Sequence, residues 1–122
     1  MKITLLILAL IASGCSSPLA EYYCTFGQSF CGQSTTDDTN ANASLIILAF
    51  ANINSSGGIV LDTANYPCAL VTQWQAEGKK VFLSIGGATA SWAPFFNNSS
   101  VGIASIQNIF STTTLDGIDL DI

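Results

Sequence analysis

Apolar positions along this chain follow two rhythms, and each predicts a different kind of element. Residues 44–51 (Ser-Leu-Ile-Ile-Leu-Ala-Phe-Ala) form a nearly unbroken apolar run. Its length and β-branched content predict a strand buried on both faces, as in a parallel sheet. Residues 81–85 predict a second such strand, and the aromatic and β-branched residues of 21–26 a short first one. Between Ile118 and Ile122 the rhythm becomes strict alternation. Ile118, Leu120 and Ile122 then share one strand face and Asp119 and Asp121 the other. The apolar face is expected to pack against helices.

Helical spacing fills the intervals. Pro67 opens a helix in the first turn, where its missing N–H does no harm. Ala69, Leu70, Val71 and Trp74 give that helix an apolar stripe to about residue 77, and Gly78 is the expected C-cap. Ile103, Ile106, Ile109 and Phe110 recur at helical spacing and predict a helix over 101–111. Residues 27–43 carry loop chemistry around a poor or short helix, and residues 52–63, with Gly57-Gly58, read as a loop. Residues 92–100 read as a connection containing aromatics. Thr112, Thr113 and Thr114 turn the chain into the last strand. The order β, loop, β, α, β, α, β implies parallel pairing with right-handed crossovers.

Charge changes this picture little. Charged residues make up 9% of 122, with three basic against eight acidic side chains. That argues against a nucleic-acid partner, which needs a basic face. Residues 1–20 read as an export signal. Lys2 is followed by an apolar run over 3–12 that is too short to span a bilayer, then by small residues with a cleavage point near Ala20. The alternative is a lipid anchor, because Ala12-Ser13-Gly14-Cys15 loosely resembles a lipoprotein box and would leave an acylated Cys15. Three further cysteines fit an oxidising compartment. Cys24 could pair with Cys31, or Cys31 with Cys68. The absence of His and of Cys-x-x-Cys makes a metal site the weaker reading. Acceptor sequons begin at Asn42, Asn54, Asn97 and Asn98, either glycosylated surface loops or chance products of an Asn- and Ser-rich chain.

The candidate chemistry lies in the last strand. Asp119 and Asp121 would hold carboxylates roughly 7 Å apart at the backbone. Paired acids in a partly buried place can share a proton, which is how a site obtains acid chemistry near neutral pH. The plain alternative is a wet strand face carrying acids for solubility. A calcium loop fits less well, since these acids are interleaved with Ile and Leu.

Leu115-Asp116-Gly117-Ile118-Asp119-Leu120-Asp121-Ile122 resembles the fourth-strand signature of the family 18 glycoside hydrolases, the chitinases. That signature is Asp-Gly-x-Asp-x-Asp-x-Glu. Asp116, Gly117, Asp119 and Asp121 match it, and the Glu would be residue 123, one position past the last. Upstream, Ser84-Ile85-Gly86-Gly87 resembles the third-strand Ser-x-Gly-Gly motif, and Ala49-Phe50 the second-strand Ala-Phe. Ala88 stands where animal-type chitinases often carry Trp, so the chain looks more like the plant and fungal class III branch. The resemblance covers about residues 22–122.

What the resemblance implies is the N-terminal half of a (β/α)8 barrel, about four βα units, since a full barrel takes about 250 residues. It implies retaining, substrate-assisted hydrolysis of β-1,4-linked N-acetylglucosamine polymers such as chitin, with no cofactor and no metal. Asp121 would orient the substrate's acetamido group, Asp119 would share a proton with Asp121, and the Glu would protonate the leaving oxygen. Asp116, Gly117 and Ser84 would be structural parts of the motifs. Tyr22 would line the sugar site or only pack. Phe50 would floor it or belong to the core. Gly86 and Gly87 would let backbone approach the sugar. The alternative from another class is a chitinase-like lectin that keeps the groove and lacks the acid. A half barrel by itself is expected to be inactive.

Overall fold

The structure, a computed structural model, describes residues 19–24 and 41–122. The predicted short helix within 27–43, most of the export signal, and Cys15 and Cys31 lie outside the described residues. Strand β1 runs Leu19–Cys24, so the last two residues of the predicted signal sit in a strand. It is followed by β2 (Ala43–Ile53), β3 (Ile59–Val60), helix α1 (Cys68–Ala76), β4 (Lys80–Gly86), helices α2 (Ala93–Asn97) and α3 (Ser99–Thr112), and β5 (Gly117–Asp121).

The sheet runs β1-β2-β4-β5 with every neighbour parallel, as the alternation of strands and helices requires. Register explains the two faces. Tyr23, Leu48, Leu83 and Ile118 are successive partners across the four strands. With Ile46, Val81 and Ile85 they form the face covered by helices, where Val71 and Trp74 of α1 and Ile109 of α3 complete the core. Tyr23 meets Trp74 edge-on, ring centroids 5.0 Å apart. The row one residue earlier, Tyr22, Ile47, Phe82 and Gly117, lies on the opposite face. This is the face that the interior of a barrel would take.

Several sequence expectations need correction. Residues 52–63 are not a plain loop. β2 continues to Ile53 and turns back into β3, an antiparallel hairpin fixed by Asn54, whose side chain accepts the Ser56 and Gly58 N–H groups. The connection over 92–100 contains α2 and the start of α3. Pro67 is the N-cap of α1 rather than its first-turn residue, and Glu77 is the C-cap, with Gly78 beyond it. On the predicted stripes, Ala69 and Ile103 are exposed, so each helix buries a narrower face than its apolar spacing suggested.

The apolar face of β5 is also only partly packed. Ile118 lies against the core, but Leu120 is 49% and Ile122 78% exposed. β5 is the last strand of the sheet, one place beyond β4, on which α1 packs.

The cysteines resolve one ambiguity. Cys24 is disulfide-bonded and Cys68 is free and exposed, so the expected alternative of a bridge at Cys68 is not formed.

Candidate active site

The parallel register builds the site. Ser84 of β4 and Asp119 of β5 are direct partners, and two residues on so are Gly86 and Asp121. Strand alternation puts all four on the face away from the helices. The Ser84 hydroxyl is buried and donates to Asp119 Oδ2 at 2.7 Å. The Tyr22 hydroxyl, reaching across from β1, donates to the same oxygen at 2.9 Å. One carboxylate oxygen thus ties the first strand of the sheet to the last two. The Asp119 bond, partial burial and the charges of Asp119 and Asp121 all hold the Tyr22 phenol above its ordinary pKa. Tyr22 therefore stays a hydrogen-bond donor through the neutral range.

Phe50 stands near the end of β2, after the Ala49-Phe50 peptide, which is cis. Its ring centroid lies 6.4 Å from that of Tyr22. A Cβ on Gly87 would come within 3.3 Å of the same ring. Tyr22, Phe50, Gly87 and Asp119 therefore gather at one end of the sheet. Phe50 is half-buried and outside the main core, and Tyr22 is 54% exposed.

Gly86 has a different reason for lacking a side chain. Its motif suggested that it gives way to a sugar. Instead it is buried, with φ +115°, and a Cβ there would strike the Asp121 carbonyl and come within 2.9 Å of Trp92 Nε1. Its bareness lets two strands and an indole close up. Gly117 is explained in the same way, because the Phe82 ring would sit 2.7 Å from a Cβ there.

Asp116 sits at the other end of the strands, as a structural anchor. Its Oδ1 pairs with Lys80 at 2.9 Å, and its Oδ2 accepts from the Val81 backbone N–H and from Gln75 Nε2, each at 3.0 Å. Its own N–H donates to the Val81 carbonyl at 2.8 Å. Burial works against the charge, but the bonds from Lys80, Val81 and Gln75 outweigh it and hold the carboxyl below its ordinary range.

One residue leaves no mark in the motifs. Trp92 is nine-tenths buried, and its indole N–H donates to the Asp121 carbonyl at 3.0 Å. The available signal is a lone Trp in a small-residue connection just after a Gly-Gly, where a large ring needs a reason to be.

The family model described as "Glycosyl hydrolases family 18" matches residues 20–122. Solved structures agree. The chain is similar to a Streptomyces coelicolor protein designated chitinase A, with 25% identity and a TM-score of 0.58 over 84% of this chain and 39% of that one. It is similar in fold to a family 18 chitinase from Chromobacterium violaceum, with 24% identity and a TM-score of 0.63 over 85% and 30% of the two chains. It is likewise similar to human YKL-39, described as a pseudo-chitinase with retained chitooligosaccharide binding, with 19% identity and a TM-score of 0.67 over 87% and 32%. The chain thus spans less than half the length of these structures. Among curated proteins no sequence matches it.

Proposed function

The chain belongs to the glycosyl hydrolases of family 18, and from that premise we propose that it forms the first four βα units of a secreted chitinase. The proposed reaction is retaining hydrolysis of β-1,4-linked N-acetylglucosamine polymers, assisted by the substrate's own acetamido group. The observation that carries this reading is the Asp119 carboxylate. Hydroxyls from Ser84 and Tyr22 hold it in place, with Asp121 two residues further on the same face.

In this reading each residue has a distinct task. The acetamido oxygen attacks the anomeric carbon, so the acetamide must be turned toward that carbon and its N–H must be held. Asp121 accepts that N–H and stabilises the charge that builds on the acetamide. Asp119 lies deeper, shares a proton with Asp121 and keeps its own place through two hydroxyl donors. Fixed donors and acceptors of this kind need no reorganisation as charge moves, which is the source of their catalytic value. Phe50 and the exposed face of Tyr22 offer apolar surface to the pyranose ring, and Gly87 leaves room for it. In this scheme the proton for the leaving oxygen is the task of the signature's glutamate, whose place in the motif would be residue 123.

The second reading is a chitin-binding lectin on the same barrel. Human YKL-39, similar in fold, is described as a pseudo-chitinase with retained chitooligosaccharide binding, which supports this second reading. One experiment separates the two. The complete gene product is incubated with N-acetylchitooligosaccharides, and the product anomers are followed by NMR. Early release of the β-anomer supports the retaining enzyme. Calorimetric binding without turnover supports the lectin, and neither binding nor turnover rejects both.

A further inference from the structure

We propose that Trp92 is a positioning residue for Asp121, setting the end of β5 through its backbone without touching substrate. The proposal rests on the reading of Asp121 as the residue that orients the acetamido group. Two donors converge on the Asp121 carbonyl, the Gly87 N–H at 3.2 Å and the Trp92 indole N–H at 3.0 Å. The first belongs to the turn that leaves β4. The second comes from a side chain beyond that turn, so it fixes the carbonyl from a direction the sheet ladder cannot supply. A carbonyl held by two donors fixes its peptide plane, and with the preceding plane held by the pairing of β5 with β4, the two planes set where the Asp121 Cα–Cβ bond points.

The seat of Trp92 is itself held. The indole edge lies over Gly86, where a Cβ would come within 2.9 Å of Nε1 and 3.1 Å of Cζ2. Phe95 meets the indole edge-on at 5.5 Å and lies over Gly102 of α3, where a Cβ would strike its ring. From the other side, the β2–β3 hairpin grips the segment. Asn98 Nδ2 donates to the Ser56 carbonyl at 3.2 Å, and the Ile59 N–H donates to Ser105 Oγ at 2.7 Å. A rigid seat is what a positioning group needs, because small misplacements near a reacting centre are costly.

The test uses the complete gene product with Trp92→Phe, which keeps an aromatic ring and removes the N–H. A second replacement exchanges the indole for benzothiophene, which keeps the shape of the side chain and removes only the donor. Phe95→Leu is the control that loosens the seat and leaves the N–H. Both Trp92 replacements should speed amide exchange across residues 117–122 and lower kcat on chitooligosaccharides with KM little changed, each by roughly tenfold or more. Phe95→Leu should lower the melting temperature more than it lowers kcat. If benzothiophene leaves exchange and kcat at wild-type values, the proposal is overturned, whether or not Trp92→Phe folds. A wild-type protein without turnover overturns the chitinase reading and with it the catalytic half of the proposal. In that case the exchange measurement decides the positional half alone.

Discussion

The hydroxyl of Tyr22 lies 2.9 Å from a carboxylate oxygen of Asp119, although 97 residues separate them in the chain. The contact exists only because β1 and β5 belong to one sheet, so it joins fold and chemistry in one bond. Tyr22→Phe removes a donor from Asp119 and leaves the ring against Phe50. In the complete gene product, turnover should fall by roughly tenfold, less than the hundredfold or more lost with a donor that meets the reacting atoms directly. The phenol gives a second readout. Its pKa is raised, so the bond's contribution to stability is present below the ordinary tyrosine value and is lost as pH rises through the folded one. In an ultraviolet pH titration, the tyrosine missing from Tyr22→Phe should be one that ionises late. If the missing one ionises with free tyrosine, the bond is not formed in solution.

Much of this is legible in the sequence because strands advertise themselves by period. The apolar run at 44–51 and the alternation from Ile118 are enough to name a parallel sheet and to place Asp119 and Asp121 on one face. Ser84 and Asp119 can be named from their resemblance to the family's motifs, but not their bond, because a parallel register is set by helices and turns that leave no local mark. The hairpin at Asn54 escapes pattern reading because a two-residue β3 is too short to show a period. Trp92 escapes it because nothing in its neighbours says which carbonyl it will meet. Gly86 invites explanation by a ligand, whereas its real neighbours are a carbonyl and an indole. Tertiary contacts of that kind are invisible to local pattern.

Asp116 should act as a pH-dependent clamp. Its carboxyl is held below the ordinary range, so its stabilising effect is present above the unfolded value, about 3.9, and is lost as pH falls through the lower folded value. Asp116→Asn keeps the shape but loses the charge facing Lys80. It should cost about 1.5–3 kcal/mol, the scale of a hydrogen bond to a charged group. Urea denaturation of the complete gene product at pH 7 and near pH 3 checks both parts. The variant should be weaker than wild type at pH 7, and the gap should narrow as pH falls below the unfolded value. A constant difference between the two pH values would place the effect elsewhere.

Gly86→Ala should be among the most damaging single-methyl changes available in this chain. The residue sits at φ +115°, and the added Cβ would enter the space of the Asp121 carbonyl, which belongs to the backbone of the next strand and cannot swing away. Relief requires β4 and β5 to part where Ser84 holds Asp119. The expected loss is about 3 kcal/mol or more, with soluble yield falling accordingly. Far-ultraviolet circular dichroism and thermal melting of the purified variant decide it. A melting temperature within a degree or two of wild type would show that the strand ends are looser than the structure draws them.

Residues 21–122 expressed alone should neither hydrolyse chitooligosaccharides nor persist as a folded monomer. Among the described residues, β1 and β5 are each hydrogen-bonded along one side only, which leaves two strand edges able to pair with other copies. Apolar surface lies beside those edges: Tyr22 is 54% exposed, Leu120 49% and Ile122 78%. The face carrying Ser84 and Asp119 holds polar groups that the far side of a closed barrel would shelter. Water reaching them weakens the bonds that set the site, while the helix-covered face, with Trp74, Leu48 and Leu83 fully buried, keeps its drive to collapse. Collapse with open edges leads to association. Sedimentation velocity should therefore show oligomers or loss of protein. A monomer with a cooperative urea transition contradicts the folding half of this expectation, and turnover by the purified piece contradicts the catalytic half. The two halves can fail separately, because folding and turnover are read by different measurements.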